Sequence, residues 1–479
     1  MFLILACDTK SCDNSCQDES KRLPKPRQVS IVIAEKDDTD KEDNNLSSLA
    51  ILFGQFLDHD ISLTPETHLD ESCCTHKNDE CMQIELAPDD PFYSPLGQQC
   101  LSLTRSLPHC SSGFPPPKIR EQQTLITAFL DSSNVYGSDV ERSLRVREKV
   151  KGAMKVTDKN NLLPKEEYQL CMVPVSGDVR AMENPSLASL HTLFMREHNR
   201  ICKELWNLNS VDWTKFGGPE CDNDRCDEWI YQNARRILIA EWQNIIYSEW
   251  LPAILGERRM NDFNLGLDEN RPYNSSADPS ILSSFSTAAF RFGHSMINGI
   301  FTKKNPSNQA AIRDIPLSDT FFNTEEYQGN GAEQLLAGLW DKKAQTRDRF
   351  VTTELTNLLF KDGASFGQDL IARNIARGRD HALPSFAKFY AKVGPESDPN
   401  RDLKCWGNTP EAFDARTWQL LKKVYNHPQD IDLFIGGMAE QNTVGGGVLG
   451  NTFGWIVAEQ FRLLKDGDRF FFTQEGNLK

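Results

Sequence analysis

The chain has 479 residues, 39% hydrophobic and 25% charged, the make-up of an ordinary globular protein with room for a large core. Its net charge of −15 argues against a nucleic-acid partner, which favours a basic surface. No apolar run approaches the length that crosses a bilayer, so no membrane span is predicted.

The opening Met1-Phe2-Leu3-Ile4-Leu5-Ala6 has too short an apolar core, and no basic start, for a signal peptide. Residues 7–45 are polar and carry Cys7, Cys12 and Cys16, with one predicted strand or extended piece, Val29 to Ala34. An acidic run from Glu35 to Asp43 leads into a predicted helix capped by Asn45 or Ser47.

That helix carries Phe53-Gly54-Gln55-Phe56-Leu57-Asp58-His59-Asp60. Gln55, Asp58 and His59 stand at i, i+3 and i+4 and share a face. An amide, a carboxylate and an imidazole set among Phe53, Phe56 and Leu57 need partners, because unpaired buried polar groups are costly. The pattern reads as the wall of a cavity that binds something polar or reactive.

Residues 64–120 are rich in proline and hold Cys73, Cys74, Cys81, Cys100 and Cys110. Cysteines bunched in such stretches point to disulfide-stapled loops in an oxidising compartment. A zinc site is the rival, but no paired CxxC occurs. The count of 13 is odd, which leaves a free thiol, an intermolecular bridge or an incomplete chain. Two glycosylation sequons, at Asn45 and Asn274, agree with secretion.

Thr127, Asp131 and Ser133 alternate their oxygens around the Phe129 carbonyl, which suits a hard cation such as calcium; an ordinary Ser/Asp turn explains the same residues. From Leu187 the pattern becomes helical, and a second helix is predicted from about Trp229 to Leu251, with Cys221 and Cys226 closing the loop between. His191 and His198, seven residues apart, read as histidines satisfied within the core. At residues 285–301 Arg291 and His294 flank Gly293 in an apolar run, where glycine permits close approach of something flat. Helices are predicted near 332–344, 347–361, 366–377, 409–426 and 447–464. With no sustained strand alternation and no internal repeat, the protein is predicted to be mainly α-helical.

Taken together, five segments resemble the animal haem peroxidase family. They are Gly54-Gln-Phe-Leu-Asp-His-Asp60, Phe129-Leu-Asp-Ser-Ser-Asn-Val-Tyr-Gly-Ser138, Met195-Arg-Glu-His-Asn-Arg200, Phe290-Arg-Phe-Gly-His294 and Arg377-Gly-Arg-Asp-His381, in the family's order. The invertebrate peroxinectin and chorion-peroxidase branch looks nearest. The resemblance implies a single large helical domain with little β-structure and disulfide-stapled loops. It is expected to span 23–479 with a truncated C-terminus, after an incomplete cysteine-bearing segment at 1–22.

By the same resemblance His59 is the distal histidine, with Arg180 and Gln55 beside it as catalytic groups. His294 is the iron ligand, backed by Asn374, and Arg291 and Arg377 are haem-binding residues. Asp58 and Glu183 match the carboxylates that attach haem b covalently, and Asp60, Thr127, the Phe129 carbonyl, Asp131 and Ser133 match calcium ligands. One departure stands out: Asn184 follows Glu183 where myeloperoxidase has a methionine, so a sulfonium link to haem cannot form there.

The implied activity is that of a secreted, extracellular peroxidase. It reduces hydrogen peroxide and oxidises phenolic or tyrosyl groups, bromide, iodide or thiocyanate, crosslinking extracellular matrix or eggshell proteins. The alternative is a peroxinectin-like adhesion protein that uses the fold as a scaffold.

Overall fold

The computed structural model describes residues 23–36, 42–76, 78–109, 112, 120–157, 159–168, 171–208, 211–216, 224–267, 272–361, 363–441 and 446–474. Cys7, Cys12, Cys16, Cys110 and Cys221 lie outside them. The described residues are mainly helical, and their strands form four separate two-stranded antiparallel sheets. No described helix is long and apolar enough to cross a membrane.

The architecture is centred on the helix Ser48–Ile61. Ile51, Leu52, Phe56, Leu57 and Ile61 on it are buried, as are His59 and Asp60, so the helix is covered on nearly every side. It packs against Pro185–Trp206, Gly331–Asp341 and the 3₁₀ segment Ala289–Met296. Gly54 sits mid-helix, where glycine costs roughly 0.5–1 kcal/mol against alanine. The reason is local: a Cβ there would stand 3.1 Å from the Trp250 ring.

Pro185–Trp206 begins with Asn184 accepting a hydrogen bond from the Leu187 amide at 2.9 Å and with proline at the first helical position. It packs in turn on Asp224–Ile245, whose helix continues through a wider turn to Trp250. Leu370–Asp380 starts on an Asp369 cap and packs on Pro26–Val29 and Leu433–Ala439. Most of the buried apolar side chains on these helices form one continuous core.

Two expectations are corrected. Val29 to Ala34 is helical, not extended: Pro26–Val29 runs into the wider turn Ser30–Ala34. Its β-branched residues favour a strand, but Ser30 donates to Asp369 at 3.1 Å and Arg27 forms ion pairs with Asp90, Asp369 and Glu35, so tertiary contacts decide. The helix predicted over 347–361 shrinks to Thr353–Thr356. Arg347 upstream donates instead to the carbonyls of Val448, Met438 and Glu440, and Arg349 to that of Ile33.

The proline-rich stretch is held by disulfides Cys73–Cys81 and Cys74–Cys100. Cys226 is also disulfide-bonded. Asn274 is exposed, and its side-chain oxygen accepts from the Ser276 amide at 3.0 Å.

Candidate active site

A cavity of about 450 Å³ opens beside the Ser48–Ile61 helix. Gln55, Asp58, His59, Arg180, Glu183, Arg291, His294, Asn374 and Arg377, all singled out from sequence, line it. Along Leu370–Asp380 the residues Leu370, Arg373, Asn374 and Arg377 share the face turned to the cavity, with His381 just beyond.

On the side of His59, the ring is 3% exposed and its Nδ1 stands 3.7 Å from Asp178 Oδ1, too far for a hydrogen bond. Among the described residues no hydrogen-bond partner reaches that buried nitrogen. Burial, and then the nearby Arg180 charge, hold the imidazole well below its ordinary pKa, so it is neutral at pH 7. Asp178 is buried too, which raises a carboxyl, but the Arg180 guanidinium overrides this and keeps it ionised.

Asp178 in turn clamps Arg180. Its two oxygens accept from Nε and Nη2 at 2.9 Å each, and from the Arg180 amide at 2.8 Å. A further Nη2 bond runs to the Ser62 carbonyl at 2.9 Å. The third nitrogen, Nη1, lies 3.9 Å from Asp58. Sequence reading identified Arg180 and missed Asp178, although Asp-x-Arg is the spacing at which a carboxylate folds back on a following amide.

Asp58 and Glu183 border the same space. Burial pushes Asp58 up to about 6, against the opposing pull of Arg180 and Arg291. Its side chain keeps 31% accessibility because it faces the cavity. Burial likewise pushes Glu183 up to about 7, again opposed by Arg180. Gln55 donates to Glu183 at 3.3 Å and accepts from Asn184 at 3.4 Å. Both carboxyls therefore take up a proton far more readily than an exposed one, Glu183 more so than Asp58.

Asp60 turns away from the cavity to a second cluster. It accepts from the Ser132 and Ser133 amides at 3.2 and 2.5 Å, from Ser133 Oγ at 3.0 Å and from Trp242 at 2.8 Å. Thr127 Oγ1 donates to Asp131 at 3.0 Å and lies 3.4 Å from the Phe129 carbonyl. Burial and the Asp131 charge raise Asp60 to about 7. Among the described residues no three acidic, His or Cys side chains converge on one point. This cluster offers two carboxylates with hydroxyl and carbonyl oxygens, the donor set of a hard cation.

The Ser133–Tyr136 turn also props the Arg180 loop. Gly177 donates to the Val135 carbonyl at 3.1 Å and Asp178 to that of Asn134 at 2.9 Å. A Cβ on Gly177 would sit 2.4–2.5 Å from backbone atoms of Gly137, Ser133 and Val135, so only glycine permits this contact.

On the other side, His294 stands on the Ala289–Met296 segment and Asn374 on Leu370–Asp380. The Asn374 amide nitrogen is 2.8 Å from His294 Nδ1, and its oxygen accepts from Arg291 Nη1. Burial, and then Arg291, lower His294 to about 3, so this imidazole is neutral too. Arg377 bonds Asp380 and Glu66 at 2.9 and 2.6 Å. His381, unassigned from sequence, joins Ser106 Oγ at 2.8 Å and Thr287 Oγ1 at 3.1 Å. No local pattern signals that bridge, because its partners are 275 and 94 residues away.

The cavity lining includes Arg291, Arg373 and Arg377, close enough to act on one another, and the apolar Leu317, Phe321, Leu339, Leu355, Leu359 and Phe360. Such a space fits haem: an imidazole for the metal, guanidinium groups for its carboxylates and apolar walls for its hydrocarbon-bearing edge. His191 and His198, in contrast, are buried in the core, where Nδ1 of each meets a hydroxyl at 2.9 Å, from Ser176 and Tyr136 respectively.

The animal haem peroxidase family model matches residues 8–479. A chorion peroxidase of Aedes aegypti is 33% identical over 94% of this chain and 57% of its own length. A peroxidasin homologue of Homo sapiens is 33% identical over 95% of this chain and 31% of its own. The chain therefore spans little more than half, or less, of these curated relatives. Peroxidase A of Dictyostelium discoideum superposes with a TM-score of 0.78 at 26% identity, over 96% of this chain and 86% of that one. A fatty acid alpha-dioxygenase of Oryza sativa, 20% identical with a TM-score of 0.73 over 95% of this chain and 74% of its own, shares the fold.

Proposed function

The chain belongs to the animal haem peroxidase family, and from that premise we propose that it reduces hydrogen peroxide and oxidises phenolic or tyrosyl groups or small anions. The observation that carries this reading is the pairing, in one cavity, of a buried neutral His59 beside the Asp178–Arg180 clamp with the His294–Asn374 pair. Haem b, when bound, supplies the iron centre that takes oxidising equivalents from peroxide and passes them to the reductant.

His294 would hold the iron, with Asn374 fixing the ring. Arg291 and Arg377 would meet the haem carboxylates, and Asp58 and Glu183 would form the ester links to its methyl groups. Peroxide must lose a proton from one oxygen and gain one on the other as the O–O bond breaks. A neutral His59 can take the first proton and return it, a shuttle worth roughly 10²–10⁴-fold. Arg180, fixed in place and always protonated, stabilises charge developing on the leaving oxygen, and Gln55 orients what binds beside His59.

A calcium ion on Asp60, Thr127, the Phe129 carbonyl, Asp131 and Ser133 would lock the end of the His59 helix to the turn that props Arg180. The disulfide-stapled loops and the Asn274 sequon support a secreted, glycosylated protein, whose tyrosyl substrates would then be extracellular matrix proteins. Asn184 lines the cavity beside Glu183 and has no sulfur to form a sulfonium link, so bromide, iodide, thiocyanate or phenols are favoured over chloride. The test is purified protein with a Soret band that consumes peroxide with guaiacol or bromide. A haem-loaded protein that shows no such turnover overturns the proposal.

A further inference from the structure

Of the nine tryptophans Trp340 is the most exposed, at 71% against 38% for Trp455, while the other seven are buried or half-buried. Exposure alone says little, because single apolar side chains on a surface are common. The place of this one says more. Trp340 stands on the last turn of Gly331–Asp341, and Leu339 just before it lines the cavity. Consecutive side chains on a helix diverge by about 100°. One helix therefore turns Leu339 to the cavity and Trp340 to solvent.

That helix is held in this setting. It packs along the strand Ile300–Lys304, Asp341 pairs with Lys304, and the Lys342 amide closes its end on the Gly338 carbonyl at 3.0 Å. The barrier between cavity and solvent is here a single helix, about 10–12 Å across with its side chains. A packed barrier of that thickness stops molecules and lets electrons through.

Indole and phenol are the aromatic side chains that give up one electron and take it back. No tyrosine lines the cavity, and its one lining tryptophan, Trp250, is 6% exposed with Nε1 donating to the Ala50 carbonyl at 2.8 Å. Among the described residues directly before or after a lining residue, Trp340 is the only tryptophan and no tyrosine occurs. The cavity itself, about 450 Å³, has the size of a small-ligand site and does not admit a protein.

We propose that Trp340 is a surface oxidation site for phenols carried on macromolecules too large for the cavity. The inference rests on the haem peroxidase reading above and states where its tyrosyl substrates react. Trp340 gives one electron to the peroxide-oxidised haem and its Nε1 proton to solvent. A phenol resting on the indole returns an electron and a proton to it and is left as a phenoxyl radical. Two such turns supply the two electrons, and release the two protons, that turn one hydrogen peroxide into two waters. The two phenoxyl radicals join through a new carbon–carbon bond.

The first measurement is not one of turnover. Haem-loaded protein is treated with peroxide and a nitroso spin trap, and its peptides are weighed. The trap is expected on Trp340, and not on Trp340 of haem-free protein given the same peroxide. Absence of the trap from Trp340, or equal labelling without haem, overturns the proposal.

The second measurement compares free tyramine with tyramine coupled to a dextran too large for the cavity, read by the fluorescence of the coupled phenols. The unmodified protein is expected to couple both. In Trp340→Phe the rate with the dextran is expected to fall about tenfold relative to the rate with free tyramine, and in Trp455→Phe the ratio is expected to hold. Equal loss with both phenols, equal loss in both variants, or no loss overturns the proposal, as does an unmodified protein that couples only free tyramine. A haem-loaded protein that couples neither phenol defeats the peroxidase reading itself, and the surface site falls with it.

Discussion

The two sides of the cavity are built on opposite plans. Around His59 the groups that position it and Arg180 are already committed to other protein groups, although its own Nδ1 is not. Asp178 takes three bonds from Arg180, Asp60 takes four from the 132–133 turn and Trp242, and Gly177 brings that turn against the Arg180 loop. Around His294 the groups are fewer and their choices open, since one amide serves both Arg291 and the ring. A side that moves protons must keep fixed distances before its reactant arrives. A side that receives a large cofactor can take its final form from the cofactor itself.

The largest effects should separate the sides by what is lost. His59→Ala should slow peroxide consumption by roughly 10²–10⁴-fold with the Soret band retained. His294→Ala should fail to take up haem, read as a purified protein without a Soret band. If both variants lost haem equally, the contrast between a reacting side and a receiving side would collapse.

Chelation comes next. If the Asp60–Asp131 cluster holds calcium, free calcium at a hundredfold above its dissociation constant adds about 2.7 kcal/mol to stability. A chelator should lower the melting temperature accordingly and expose the 127–133 amides to hydrogen exchange before those near His294. Uniform exposure would show that the cation does not belong to the His59 side.

Two glycines give the sharpest matched pair. Gly177→Ala must displace backbone atoms 2.4–2.5 Å away and should cost about 1–3 kcal/mol, read by denaturant unfolding. Gly293→Ala meets only the tip of Ile51, at 3.4 Å, and should change the haem-free protein by less than about 0.5 kcal/mol. A costly Gly293→Ala would mean that the His294 side is as tightly built as the other.

The same contrast explains what the sequence discloses. The His59 side is legible because Gln55, Asp58, His59 and Asp60 fall within six residues of one helix, where spacing alone sets them on faces. Thr127, Asp131 and Ser133 fit an ordinary turn as well as a cation site by spacing, and only the family resemblance joins them to Asp60 as proposed calcium ligands. Arg291 and His294 are visible as motif residues, but their junction at Asn374 spans 80 residues and more. Which end of that amide faces which neighbour depends on three-dimensional donor counting that no spacing encodes. Val29 to Ala34 shows the other limit: β-branched residues suggest a strand until a buried arginine network fixes them as helix. Helix boundaries elsewhere range from close, as with Pro185–Trp206 against a start read at Leu187, to several residues off, as with Ala415–Val424 against 409–426.

The smallest effect is a pH dependence on the His59 side. Glu183 titrates at about 7 in the folded, haem-free protein against 4.5 ordinarily, because burial disfavours its charged form. A carboxyl raised in the folded state leaves stability intact below about 4.5, where both states are protonated. Between 4.5 and 7 the unfolded chain loses its proton first, so stability falls as pH rises, and the fall levels off above 7. A shift of that size is worth up to about 3 kcal/mol, and water in the cavity should reduce it to roughly 1–2. Glu183→Gln cannot ionise, so it should match the parent at pH 4 and be the more stable protein at pH 8. Esterification of Glu183 would remove the same proton equilibrium, so protein with covalently attached haem should respond to the substitution no differently at pH 4 and pH 8. A parent whose haem-free stability rises from pH 4.5 to 7 with Glu183 as the cause would show that this carboxyl sits ionised. It would then belong with the committed groups around Arg180, not with those held in reserve.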